Sequence, residues 1–319
     1  MDRFADMQLF VKVVDAGSIS GAAERLGIAK SAASRRLAEM EARLGVQLLQ
    51  RTTRRLNLTE SGRAYYERCR QILADVEETE LAVSSVHGAL GGRLRVALPL
   101  SFGLLHLAPL IDAFCSQHPA IEFELDFNDR RVDLMQEGFD VAVRIAQLED
   151  SSLIARRLTV IRHIVCASPA YLSAHGLPEN PQDLAQHAGL GYSNRPSPGL
   201  WTCETADGET HNVRIPIKLE ANNGDFLCRM AVAGHGVLML PTFYVAGPVA
   251  RGELVPLLEH CRWPELNAYA VYPPTRHLST RVRAFVDFLV ERLGGEPPWD
   301  RAMPSAGRTG GGRQRQASR

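Results

Sequence analysis

Five side chains within seven positions, Lys30, Ser31, Ser34, Arg35 and Arg36, combine short hydroxyls with long cationic groups. Ammonium and guanidinium groups neutralise phosphates, and guanidinium and hydroxyl groups hydrogen-bond base edges, so this set has the chemistry to hold a nucleic acid. A second group follows in Arg51-Thr52-Thr53-Arg54-Arg55, which places Arg51, Thr52, Arg54 and Arg55 in one short run. Taken singly, either group also fits a solvated surface helix or loop. Metal chemistry and nucleophilic catalysis find less support. The ten histidines form no H-E-x-x-H pair, and G-x-S-x-G, Walker and dinucleotide fingerprints are lacking. His106 and His235 fit surface or capping positions better than catalytic ones. The six cysteines, Cys69, Cys115, Cys166, Cys203, Cys228 and Cys261, are far apart, which predicts reduced thiols and no metal framework.

The elements around the basic groups give them a purpose. Phe4, Leu9, Phe10, Val13 and Val14 recur at helical spacing, and Gly17 ends the run. Ser18 caps a short helix with Ala22, Ala23 and Leu26 inward. A third helix, roughly 30–44, turns Ala33, Leu37, Met40 and Leu44 inward and carries the first basic group outward. Two short helices joined by the tight turn at Gly27 predict a helix-turn-helix, with the second helix in a DNA major groove. The arginine run before the alternating Leu56-Asn57-Leu58 then reads as a wing touching phosphates or the minor groove. Thr59 caps a helix of 60–87, about 42 Å long. Tyr65, Cys69, Ile72, Val76, Thr79, Val83 and Val86 lie along it at alternating spacings of four and three, a heptad seam. A helix that long predicts pairing with a second copy, with packing against its own chain as the alternative.

These stretches are similar to the N-terminus of the LysR-type transcriptional regulators. The resemblance is carried by FVKVVDAGSISGAA from Phe10 to Ala23, SRRLAEMEARLG from Ser34 to Gly45, and LLQRTTRRLNLTESG from Leu48 to Gly62. The chain departs from the family at Ala29-Lys30-Ser31, where Ser/Thr-Gln-Pro is frequent, and at Ala33, where Val is commoner. Farther on, Glu137 to Arg144 (EGFDVAVR), Ala167 to Leu172 (ASPAYL) and Gly234 to Pro241 (GHGVLMLP) resemble the family's effector-binding region. The resemblance implies an α+β multidomain chain. A winged helix-turn-helix spans 1–59 and a dimerising linker helix 60–89. A two-lobed, periplasmic-binding-protein-like (type 2) effector domain spans 93–293, with lobe 1 over about 93–162 and 267–293 and lobe 2 over about 163–266.

The residue pattern of that second region agrees. Leu94–Leu98, Ile121–Phe127 and Asp140–Ile145 read as strands with helices between them, hence a mostly parallel sheet. In such sheets ligands bind beyond the carboxyl ends of strands. Ser101, Asn128, Arg144, Asn222 and Asn223 fall there and match positions that line the family's cleft. Helix capping would use Ser101, Asn222 and Asn223 equally well, and for Arg144 a salt bridge between lobes is the lesser alternative. Arg195 is a weaker candidate.

Composition sets the frame. The formal net charge is zero, with 36 Lys/Arg and 36 Asp/Glu. Residues 1–70 hold 13 Lys/Arg against 8 Asp/Glu, residues 71–295 hold 18 against 26, and residues 296–319 hold 5 against 2. The neutral total therefore conceals a basic reader and an acidic remainder. No apolar run suggests a membrane span or signal peptide, so a cytoplasmic protein is expected. From Gly294 onward Gly, Pro, Arg and Ser dominate, which predicts a disordered tail over 294–319. The expected partners are promoter DNA, a small-molecule effector, RNA polymerase and further copies of the chain as dimer or tetramer. No cofactor is expected. An architectural DNA-binding protein without an effector is the alternative reading, and an enzyme fused to a DNA-binding domain a weaker one.

Overall fold

The structure is a computed structural model that describes residues 2–51, 56–84, 90–130, 132–147, 153–274, 278–301 and 303. The N-terminal unit packs α1 (Arg3–Asp15), α2 (Ile19–Arg25) and α3 (Lys30–Leu44) around Leu9, Phe10, Val13, Ala23, Leu37 and Met40. Asp2 caps α1 by accepting from Phe4 N at 3.0 Å, and Ser18 caps α2 by accepting from Gly21 N at 3.1 Å. Strands β1 (Leu49–Arg51) and β2 (Leu56–Leu58) pair antiparallel as the wing.

Helix α4 (Glu60–Ser84) starts at Thr59, whose Oγ1 accepts from Gly62 N at 2.9 Å. A Cβ on Gly62 would fall 1.9 Å from the Leu48 carbonyl oxygen, so only glycine lets α4 seat against the wing. The lower end of α4 belongs to this unit. Tyr65 lies 5.5 Å from Phe10 between ring centroids, and Cys69 is fully buried. Cys69 is therefore corrected as a seam position, because its own chain covers it, while Tyr65 is half-buried against Phe10. Ile72 remains exposed and Val76 half-buried. The side chains of Thr79 and Val83, and Val86 altogether, lie outside the described residues.

The first lobe begins with β3 (Gly91–Leu98), α5 (Leu100–Phe102), a π-helical turn at Gly103–Leu107, and α6 (Ala108–Gln117). It continues through β4 (Ala120–Phe127), α7 (Leu134–Glu137), β5 (Val141–Ala146) and β6 (Ile154–Ile161). The second lobe holds β7 (His163–Ala167), α8 (Pro169–His175), β8 (Gly189–Tyr192), and the hairpin β9 (Leu200–Glu204) and β10 (Thr210–Arg214). After it come β11 (Ile217–Ala221), α9 (Gly224–Val232), β12 (Val237–Pro241), α10 (Thr242–Ala250) and β13 (Val255–Leu257). The chain returns to the first lobe through β14 (Leu266–Tyr272) and α11 (Thr280–Leu293).

Both five-stranded sheets share one topology, β4-β3-β5-β14-β6 and β11-β8-β12-β7-β13. Each is mixed, contrary to the mostly parallel expectation: β14 runs antiparallel to β5 and β6, and β7 to β12 and β13. Pro216 separates β10 from β11, which join different sheets.

The expectation of disorder from Gly294 onward is overturned for its first part. Helix α12 (Pro298–Arg301) is docked, with Trp299 and Asp300 buried. The Trp299 ring packs 5.6 Å from Phe102, and Asp300 accepts from Arg162 Nη1 and Thr242 Oγ1, each at 2.5 Å. One aromatic and one carboxylate outweigh the local composition. Residues 304–319 lie outside the described residues.

Candidate DNA-reading face and interlobe cleft

Helix α3 presents Lys30, Ser31 and Arg35 to solvent and Ser34 at its margin. The Arg35 side chain is 75% exposed and only loosely held, with Nε 3.8 Å from Glu39 Oε1. Arg36 is a correction to the expected DNA-facing set. Its Nε and Nη2 donate to Asp6 Oδ1 at 3.2 and 3.0 Å, and Arg43 Nη1 reaches Asp6 Oδ2 at 3.2 Å. Asp6 is buried, so this triad neutralises an interior carboxylate and ties α3 to α1. Glu41 Oε1 accepts from Leu48 N at 2.7 Å and Leu49 N at 3.0 Å, which locks the wing's first strand to α3. Thr52, Arg54 and Arg55 fall outside the described residues, as does the Arg51 side chain.

Between the lobes lies a cleft of about 690 Å³. Of the expected effector residues, Asn128 and Arg144 line it, whereas Ser101, Asn222 and Asn223 do not. Asn128 Oδ1 accepts from Arg130 N at 2.8 Å, and Arg144 Nη2 donates to the Val132 carbonyl. Ser101 is 1% exposed, and its hydroxyl donates to Asp225 Oδ2, a bond that joins lobe 1 to lobe 2. Asn223 is a capping residue, accepting from Phe226 N at 2.8 Å, and Asn222 is exposed at the preceding bend. Capping thus takes Asn223, and the interlobe link takes Ser101.

Sequence reasoning passed over several lining groups. Asp129 Oδ1 accepts from Leu100 N at 2.9 Å, and burial with the Asp225 charge nearby raises its pKa. Tyr192 and Tyr244, both half-buried, line the same cleft, and burial raises both pKa values. A Cβ on Gly224 would strike the Tyr244 ring at 2.4 Å, so the start of α9 is bare where that ring lies. His163 Nδ1 is 2.9 Å from the Pro264 carbonyl, and burial together with the Arg195 charge pushes its pKa down to about 4. The only sequence cue to Asp129 and Tyr192 was their place at strand ends. The packing of α10 under the cleft gave none, since Gly247-Pro248 obscures that helix.

Among the described residues no group of three His, Cys, Asp or Glu could hold a metal ion, and no helix is long and apolar enough to cross a membrane.

Comparison with known proteins gives a consistent match. The model for a bacterial regulatory helix-turn-helix protein, lysR family, matches residues 4–63, and the LysR substrate binding domain matches residues 87–294. The chain is 39% identical over 290 residues to the HTH-type transcriptional regulator PtxR of Pseudomonas aeruginosa, covering 90% of this chain and 92% of that one. It is 38% identical over 290 residues to the HTH-type transcriptional regulator CrgA of Neisseria meningitidis, covering 91% and 96%. The solved structure of CrgA superposes with a TM-score of 0.58 at 37% identity, over 91% of this chain and 99% of that one. The full-length Vibrio cholerae virulence activator AphB gives 0.57 at 29% identity, over 92% and 100%.

Proposed function

This chain belongs to the LysR family of transcriptional regulators, and from that membership we propose a specific mode of action. Two chains pair through the upper part of α4, from Ile72 and Val76 toward Thr79, Val83 and Val86. The paired α3 helices read two halves of a promoter dyad about one helical turn apart. Lys30, Ser31, Ser34 and Arg35 face the bases and phosphates, and Arg51, Thr52, Arg54 and Arg55 on the wing hold the flanking backbone. Effector lobes join dimers into a tetramer. A small effector in the interlobe cleft closes it, shifts the DNA-binding pairs and alters contact with RNA polymerase. Such an effector must bind one state better than the other, with a coupling of about 1–3 kcal/mol. The protein acts in the cytoplasm and catalyses no reaction.

The observation that carries this reading is the division of cations on α3: Arg36 is held inward by Asp6, while Lys30 and Arg35 are left outward beside Ser31. A genome-wide map of DNA fragments retained by the purified protein tests it. One or a few sites with dyad symmetry are expected. Uniform coverage without a repeated half-site would support a purely architectural role instead.

A further inference from the structure

We propose that the interlobe cleft takes an effector carrying a single negative charge on an apolar or aromatic body, and that Arg195 is its anchoring cation. The proposal rests on the reading of the cleft as the effector site. It starts from the charges on the cleft wall. Arg130 is gripped by Glu137, with Nη1 donating to Oε1 at 2.7 Å and Nη2 to the other oxygen. Arg144 turns Nη2 onto the Val132 carbonyl. Arg195 has no carboxylate within ion-pair distance among the described residues; the sulfur of Met239, 4.0 Å from Nη1, is its side-chain neighbour. Burial lowers its pKa, as expected of a guanidinium removed from water without a counter-charge.

His163 beside it supplies no compensation. Its Nδ1–H donates to the Pro264 carbonyl, and with a pKa of about 4 the ring is neutral at pH 7. A half-buried guanidinium facing a cavity without an acid partner is stabilised by an anion, and charge-assisted hydrogen bonds are the stronger kind.

The rest of the wall defines the body of the ligand. Tyr192, Met239, Phe243, Tyr244, Leu266 and Tyr269 present ring and aliphatic surface, and the volume is in the range of small-molecule sites. Asp129 also lines the cleft, and Asp225 lies close enough for its charge to act on it. A second carboxylate on the ligand would be repelled there, so a monoanion fits and a dianion does not. The start of α5 is not the anion's place, because the Ser101 hydroxyl already donates to Asp225 and is sealed from the cavity.

Titration calorimetry on the full chain tests this with benzoate, phenylacetate and hexanoate as probes, their neutral amides as controls, and phthalate as the dianion. At least one monocarboxylate is expected to bind ten-fold or more tightly than its amide and than phthalate. Arg195→Gln should erase that preference, and Arg195→Lys, which keeps the charge, should retain part of it. Ile145→Trp, which fills the cleft, should abolish binding of acids and amides alike. Equal binding of acid and amide, tight phthalate binding, or a preference that survives Arg195→Gln overturns the anion assignment; if Ile145→Trp still abolishes binding, the cleft reading stands. If no probe binds, or binding survives Ile145→Trp, the cleft reading falls and the proposal with it.

Discussion

At the residue scale, two adjacent arginines of the same helix have different jobs. Arg35 projects into solvent and touches only Glu39, so Arg35→Ala should weaken promoter binding by about 1–3 kcal/mol and leave the melting temperature within experimental error. Arg36 holds a buried carboxylate. Arg36→Ala leaves Asp6 with Arg43 alone and should destabilise the fold by about 1–3 kcal/mol, with the smaller effect on DNA affinity of the folded protein. Gel-shift titration and urea denaturation on both variants check the division; equal losses of DNA affinity would return Arg36 to the reading face. Histidines give a second prediction. His106 lies among Phe102, Phe243 and Trp299, its Nε2 is buried without a partner, and burial pushes its pKa from 6.5 down to about 4. The unfolded chain then takes up protons that the folded one refuses. Stability is fully present above about pH 6.5 and is lost as the pH falls toward 4, with His163 adding to the loss over the same window. Urea midpoints measured from pH 7 to 4.5 should fall, and His106→Phe should make that fall less steep.

At the element scale, the helices of the N-terminal unit were legible from their apolar period together with capping residues or terminating glycines. Ser18 and Thr59 are caps in the structure, and Gly45 ends α3 with φ of 71°. The heptad seam was legible as a pattern, and one position near its lower end, Cys69, is buried within its own chain. Periodicity says which residues share a face, and it cannot say what that face meets. Tyr65 meets Phe10 and the rest of the N-terminal core and Cys69 is fully buried, while Ile72 is still open to solvent. Charge placed at Ile72 and Val76 should therefore give monomers by sedimentation at unchanged helix content. Cys69→Asp should unfold the N-terminal unit instead, since it buries an unpaired carboxylate. The cleft was partly legible for a related reason. Strand ends mark where a ligand sits, which found Asn128 and Arg144, but they cannot tell a capping side chain from a lining one, as Asn223 shows. Tyr244 and Asp225 reach the site through helices that begin on the other lobe, a placement with no local signature.

At the scale of the whole molecule, the question is how a ligand between the lobes reaches the DNA-reading face. The strands that end at the cleft begin at α4. Strand β3 runs into Leu100 and β4 into Asn128 and Asp129, while at the opposite end both meet the linker helix through charge. The Glu124 carboxylate on β4 forms ion pairs with Arg93 Nη2 at 2.6 Å and Arg95 Nε at 3.0 Å, and Arg70 of α4 approaches to 3.9 Å. Arg95 also donates from Nη1 to the carbonyls of Glu137 and Gly138 at 2.9 and 2.8 Å. Glu67 of α4 is seated so closely over Gly138 that a Cβ there would fall 2.2 Å from its carboxylate, and burial raises its pKa. A network of both signs thus joins α4 to lobe 1, and it is the route by which the proposed effector response would reach α4. Glu124→Gln removes the shared carboxylate without touching the reading face or the cleft. It should leave promoter affinity and effector affinity near wild type, yet reduce the effector-induced change in promoter affinity by half or more, out of a coupling of about 1–3 kcal/mol. Gel shifts with and without the tightest-binding carboxylate measure this directly. A full effector response in that variant would show that the coupling passes through the lobes' contacts with other chains and not through α4 of the same one.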